Sequence, residues 1–367
     1  MPQSGITITQ AIAHDYEWLR ERPISNGSHT YATSDITVVE IRTDAGVTGY
    51  GIGRPRPGER EFRADFLSRL VGRDATMTEA IWASLWSPKM SGRRGYETRA
   101  LSSIDLALWD VKAKYAGLPL SRLLGGYRQE IPFYIAGGYY GQGKSMTMLR
   151  EEFARYVELG AKAVKMKVGA VSVLEDIARI KAVRATIGDE VALLLDANCA
   201  YSWHDAVELA RRAEPFQPFW FEEPVPPDDY DGFRRIAAHS AIRLAAGENE
   251  YTKYGFRDLI ATGVIAIINP DARYMGGATE FMKVAALAQA HGVDVAPHGD
   301  QQTHLQLLGA IPNARLLEFY PPAIEPMQSR AYLNPPVMTD HGTVLIPEQP
   351  GAGLDPDFEA LEPYRLA

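Results

Sequence analysis

The chain has a single cysteine, Cys199, among 367 residues, so neither an internal disulfide nor a thiolate metal cluster can form. Cys199 itself is expected to be a buried thiol at a strand end. No stretch approaches the roughly 20 apolar residues of a membrane helix, and the opening MPQSGITITQAIAHDY lacks the basic start and apolar core of a signal peptide. Basic charge is also scarce. A formal net charge of −8 and a pI near 5.6 leave no electrostatic footprint for nucleic acid or an anionic membrane surface. No G-x-G-x-x-G opens a first strand-helix turn, which argues against a nicotinamide enzyme. These absences lead to the expectation of a cytoplasmic enzyme acting on a small molecule, with any anionic ligand held by local charge.

What is present is an ordinary globular composition, 46% hydrophobic and 23% charged. From about residue 131 onward, eight short β-like runs alternate with helix-like stretches, the pattern of a parallel α/β barrel. The runs are Ile131 to Gly138, Ala163 to Gly169, Ala192 to Asn198, Phe219 to Pro224, Arg243 to Asn249, Ala266 to Ala272, Asp294 to Gly299 and Arg315 to Tyr320. Between them, stretches such as Val173 to Ile187 and His204 to Glu214 repeat apolar residues at helical spacing. A barrel needs roughly 250 residues, which leaves room for a second unit. In the first part, ITVVEIRTDAGVTGYGIG reads as a strand pair turning at Thr43 to Gly46, followed by a helix over Leu101 to Tyr115. The expected architecture is α/β: an α+β capping unit over residues 1–127, completed by 336–367, and a barrel over 128–335.

Three acidic residues, Asp196, Glu222 and Glu248, close successive apolar runs at equal intervals of one strand plus one helix. Residues at the strand C-termini of such a barrel share one mouth. Three carboxylates converging there suit a hard divalent cation such as Mg2+. Lys165 and Lys167 alternate onto one inward face, where like charge and desolvation are expected to lower the pKa of Lys167 toward that of a base. Asp271 and His298 close the next two runs, and an aspartate on one ring nitrogen would fix the imidazole tautomer. Glu318 closes the last run as a ligand hydrogen-bond partner, held protonated beside another carboxylate. Glu223 should turn away by alternation and serve as a structural anion. His304 is placed in a loop reaching the mouth, with Asp300 and Gln301 solvated.

In this order Lys165-Met166-Lys167, Asp196 in DAN, Glu222 in FEEP, Glu248 in GEN, Asp271 in NPDA, His298 in APHG and Glu318 in LLEF resemble the enolase superfamily, mandelate racemase subgroup. The run SSIDLALWDVKAKYAGLPLSRLLGG resembles that family's connecting segment. Asn269 stands where glutamine is commoner in the family. The resemblance implies a modified (β/α)7β TIM barrel under an N-terminal capping domain. It also implies abstraction of the proton next to a carboxylate, with Mg2+ on Asp196, Glu222 and Glu248 stabilising the enediolate. Lys165 would then lie near the substrate carboxylate, Glu318 would hydrogen-bond the enediolate, and Asn198 would orient ligands.

Lys167 on one face and His298 on the other permit a dehydratase, a racemase or epimerase, or a cycloisomerase. Cap loops, expected at Trp18 to Ser28 and Gly53 to Arg60, set specificity in this family. Here they carry Arg20, Arg22, Arg54, Arg56 and Arg60, a polar set suited to hydroxylated or doubly carboxylated substrates. Tyr139 and Tyr140 add hydroxyls for a polyol. The favoured reading is dehydration of an aldonic or aldaric acid to a 2-keto-3-deoxy acid by a homo-oligomer, without nucleic acid or membrane partners. A barrel retained only for binding is the alternative from another class. A further alternative is phosphoryl chemistry, because Gly138-Tyr139-Tyr140-Gly141-Gln142-Gly143-Lys144-Ser145 fits G-x-x-x-x-G-K-[ST].

Overall fold

The computed structural model describes residues 6–366. Its first unit is an antiparallel sheet of β1 (Ile8–Ser25), β2 (Thr30–Thr43) and β3 (Thr48–Gly53), in that order. The expected turn joins β2 to β3, where Thr43 N–H donates to Val47 O at 3.1 Å and Gly46 takes the left-handed conformation, φ +73°. The helix Tyr96–Tyr115 crosses this sheet at close range. A Cβ on Gly51 would fall 1.9 Å from the carbonyl oxygen of Ser103, so only glycine lets helix and strand approach this closely.

Trp18 to Ser28 is not the loop expected from its sequence. β1 continues through Ser25, pairing with β2 out to Thr30. The hairpin end rests on the barrel, with Ser25 and Tyr140 exchanging backbone hydrogen bonds of 3.0 and 2.8 Å and Ser28 Oγ donating to Asn198 O at 3.2 Å. Among Trp18–Ser25 no residue is fully buried, and the run Arg20-Glu21-Arg22-Pro23 interrupts any apolar alternation that would mark it as a strand.

All eight expected barrel runs are strands: β4 (Glu130–Gly137), β5 (Ala163–Lys167), β6 (Ala192–Asp196), β7 (Pro218–Glu222), β8 (Arg243–Ala246), β9 (Ile265–Ile268), β10 (Asp294–Val295) and β11 (Leu317–Glu318). They pair in parallel in the order β10-β9-β8-β7-β6-β5-β4-β11, and the curled sheet is drawn together by a bridge between Val295 and Ala314. Trp220, Leu194, Tyr134, Ile267 and Ala296 fill its interior, forming an apolar floor beneath the strand C-termini. The helix Val173–Ile187 matches its expected span and starts on a capping box of Ser172 and Glu175.

The segment expected to complete the first unit also joins the barrel. Within it β12 (Thr343–Leu345) adds antiparallel to β4, while beyond it Phe358 packs against His14 and Tyr50, and Leu366 N–H donates to Asp15 O at 2.8 Å. Among the described residues, no helix is long and apolar enough to cross a membrane.

Candidate active site

Sheet register builds the acidic centre. Asp196 at the end of β6 pairs with Lys167 on one side and Glu222 on the other, and Glu248 follows β8 two residues beyond Ala246. One carboxylate oxygen from each of Asp196, Glu222 and Glu248 lies within 4.8 Å of the others. Asn198 and Cys199, both at positive φ (42° and 62°), bend the chain after Asp196. That bend sends Asn198 N–H to Asp196 Oδ1 at 2.9 Å and Asn198 Nδ2 to Glu248 Oε1 at 3.2 Å. Glu248 Oε2 is buried without any hydrogen-bond partner, and so is Asn198 Oδ1. Unpaired buried oxygen between two further carboxylates is what a hard cation with oxygen ligands satisfies. Burial and the neighbouring carboxylates raise the Glu222 carboxyl to about 8 against the pull of Lys165. Burial acts the same way on Asp196, but Lys167 and Lys165 outweigh it and hold its pKa low.

Lys165 is wholly buried, with Nζ at 3.1 Å from both oxygens of Glu222, 3.3 Å from Asp196 and 3.7 Å from Glu318. Lys167 donates to Asp196 Oδ2. Contrary to expectation, the Lys167 ammonium is stabilised rather than weakened. Burial and Lys165 do favour the neutral form, yet Asp196, Tyr139 and Glu248 reverse the balance and raise its pKa. Strand alternation reveals the neighbouring lysine but not the carboxylates interleaved from the adjacent strand.

Across the mouth, His298 Nδ1 lies 3.1 Å from Asp271 Oδ2, and Nε2 lies 3.6 Å from Glu248 Oε2. Burial opposes charge on the ring, but Glu248, the bond to Asp271 and Glu318 raise it to about 10. Asp271 is itself clamped by Arg273 through bonds of 3.0 and 2.6 Å. His304 does not reach the mouth. It is buried behind Asp271, its Nε2 accepting from Ala272 N–H at 3.0 Å. Glu318 is not protonated as expected: burial would raise it, but Lys165, His298, Lys167 and the Gly299 N–H hold it at about 2. Its oxygens accept from Gly299 N–H at 2.7 Å and Tyr320 OH at 2.9 Å.

Lys167, Glu248, Asn198, His298 and Tyr139 open into a cavity of about 330 Å³, roofed by the first unit. Arg20 and Arg54 line it as well. Arg22 does not, being exposed on β1, and the Tyr140 hydroxyl turns away to Asp176 at 2.6 Å beneath Arg179. Arg56 and Arg60 are engaged by Asp35 and Asp15 at 3.2 and 2.7 Å. Asp300 and Gln301 are not solvated. Asp300 caps the helix Gln301–Ala310 and accepts from Tyr332 OH at 3.2 Å, while buried Gln301 accepts from Tyr320 N–H at 2.7 Å. Asp35, Arg99, Arg273, Tyr274 and Glu325 line the cavity without having been expected there. Arg273, two residues past Asp271, carried the one usable signal.

Residues 8–125 match the family Mandelate racemase / muconate lactonizing enzyme, N-terminal domain, and residues 148–361 match Enolase C-terminal domain-like. The chain belongs to the mandelate racemase/muconate lactonizing enzyme family of the enolase superfamily. A D-galactarolactone cycloisomerase of Agrobacterium fabrum is 33% identical, with 98% of this chain and 99% of the relative covered. An arabinonate dehydratase of Saccharolobus solfataricus is 32% identical over 90% of this chain and 91% of its own. A racemase from Streptomyces coelicolor solved with bound magnesium superposes with a TM-score of 0.90 at 32% identity, covering 98% of this chain and all of that one (100%). This chain is thus an enolase-superfamily enzyme, and magnesium is the cofactor that suits its acidic triad.

The remaining family-neutral motifs have structural explanations. Lys144 of the phosphate-loop pattern donates to Tyr139 O at 2.7 Å and pairs with Glu152 at 2.5 Å, so its charge is spent within its own loop. Glu223 does turn from the mouth, φ +37°, and its carboxylate accepts from Cys199 Sγ at 3.1 Å and Asn249 Nδ2 at 2.7 Å.

Proposed function

We propose that this protein dehydrates an acid sugar to its 2-keto-3-deoxy acid. The observation that carries the reading is that Lys167 and His298 line one cavity together with Glu248 of the acidic triad. Asp196, Glu222 and Glu248 would hold Mg2+, which would supply positive charge to the substrate carboxylate and offset the acidic triad.

Lys167 Nζ, in the neutral form that a cation offsetting Asp196 and Glu248 would favour, takes the proton from the carbon next to the carboxylate. The electron pair of that C–H bond forms a carbon–carbon double bond as the C–O bond at the neighbouring carbon breaks. His298 Nε2 gives its proton to the departing hydroxyl, which leaves as water, and the enol then tautomerises to the 2-keto acid. Asp271 holds the ring so that Nε2 is the nitrogen presented. Lys165 and Glu318 flank the position of the substrate carboxylate, one a donor and the other an acceptor for its hydroxylated neighbour.

Dehydration is tested by incubating the Mg2+-loaded enzyme with a panel of acid sugars in D2O, detecting keto acid and reading deuterium in recovered substrate. Keto acid formation supports it, and a panel without any keto acid product ends it. Similarity to a cycloisomerase favours a second reading, in which a ring oxygen leaves in place of water. Ring-opened product from a sugar-acid lactone without loss of water would select it.

A further inference from the structure

Every guanidinium that lines the cavity already faces a carboxylate. Arg54 is held by Asp35 through bonds of 2.6 and 2.7 Å. Arg273 is held by Asp271, and Arg99 lies 3.4 Å from Glu59 while donating to Tyr251 OH at 2.6 Å. At the end formed by β1 and the loop after β11, Arg20 Nη1 meets Glu325 Oε1 at 2.5 Å. Glu325 directly precedes the short helix Pro326–Arg330 but makes no side-chain cap on it, its carboxylate going to Arg20 instead. No arginine is left over to meet a second substrate carboxylate, which would enter beside Asp35, Asp300 and Glu325.

Two polar atoms at this end nevertheless lack partners. Arg20 Nε is a buried donor without an acceptor, and Gln328 Oε1 is a buried acceptor without a donor. Both residues line the cavity. Hydroxyls can accept from a donor such as the first and donate to an acceptor such as the second, whereas a carboxylate has no proton to give the second.

Building on the dehydration reading, we propose that the substrate is an aldonate, carboxylated at one end only, and that Arg20, Glu325 and Gln328 read a hydroxyl toward its far end. The ion pair keeps the subsite neutral. An anion brought beside Glu325 would therefore be buried without a counter-charge of its own.

The test compares aldonates and aldarates of matched configuration, measuring kcat/KM for keto acid and, by calorimetry, binding to the Mg2+-loaded Lys167→Ala protein. The aldonate should be favoured by at least about 30-fold in both readouts, an energy of about 2 kcal/mol. Glu325→Gln, which frees the Arg20 charge, should improve the aldarate and narrow the ratio at least about 10-fold. Gln328→Met should raise KM for the aldonate with little change in kcat and none in Mg2+ affinity. Equal or better handling of the aldarate by the native enzyme, or a ratio unmoved by Glu325→Gln, overturns the proposal. Selective aldonate binding without keto acid from either sugar overturns the dehydration reading alone and upholds the subsite. Failure of both sugars to bind overturns the subsite.

Discussion

Lys165 Nζ lies 3.1 Å from each carboxylate oxygen of Glu222, and both side chains are fully buried. Removing that ammonium takes from Glu222 the cation nearest both its oxygens and from Glu318 one of the charges that hold it ionised. Lys165→Met should therefore destabilise the metal-free protein by about 3 kcal/mol or more. Urea unfolding in EDTA checks this, and a loss below about 1 kcal/mol, the range of an exposed pair, would show that the charge is replaceable.

His298→Asn removes the proton donor while leaving Lys167 and the triad in place. Keto acid formation should fall by about 10³-fold, with exchange of the α-proton against solvent deuterium retained. NMR of recovered substrate separates the two steps. Loss of exchange to the same extent would move His298 from the second proton transfer to the first.

Asp196 touches Lys165, Lys167 and Asn198 as well as belonging to the triad. Asp196→Ala should weaken Mg2+ binding by at least about 100-fold and lose exchange and elimination together. Calorimetric titration with Mg2+ measures the first effect. In the native protein, EDTA should abolish both activities and excess Mg2+ should restore them.

His304 supplies a pH test. Burial, assisted by Arg273 against the pull of Asp271, lowers its pKa from 6.5 to about 4. The unfolded chain therefore binds the proton first as pH falls. Folding stability should be unaffected by this group above about pH 6.5 and decline between there and about pH 4, by about 3 kcal/mol in total. His304→Gln should flatten that decline when unfolding is followed at successive pH values. An unchanged slope would assign the acid sensitivity elsewhere.

The barrel was legible because most of its strands end on a chemically distinctive residue and stretches such as Val173–Ile187 repeat buried residues at helical spacing, whereas the helix Gln301–Ala310, buried on every side, shows no such repeat and reads as a loop. Asp196, Glu222 and Glu248 could be placed together from their even spacing alone. Electrostatic states were not legible in the same way. Lys167 and Glu318 both depart from expectation because each is governed by charges on other strands, which alternation within one strand cannot reveal. The first unit hid its specificity residues for another reason. Arg20 and Arg22 sit two apart on the same ribbon, yet only Arg20 meets the cavity, and nothing local distinguishes them. Asp35 and Glu325 are ordinary acidic residues in sequence, given meaning by arginines far along the chain. Tyr140 follows Tyr139 directly, and the turn after β4 sends their hydroxyls to different sides.

The antiparallel bridge between Tyr16 and Arg365, with the bond from Leu366 to Asp15, imposes an order on biosynthesis. The first unit emerges from the ribosome long before these partners exist, so one side of β1 must wait until the whole barrel has been made. During that interval the barrel can assemble on its own local contacts, and the roof is held to it only by contacts such as Ser25 with Tyr140 and Ser28 with Asn198. A chain that stops short of Arg365 would carry the acidic triad under a roof that lacks this further tie to β1.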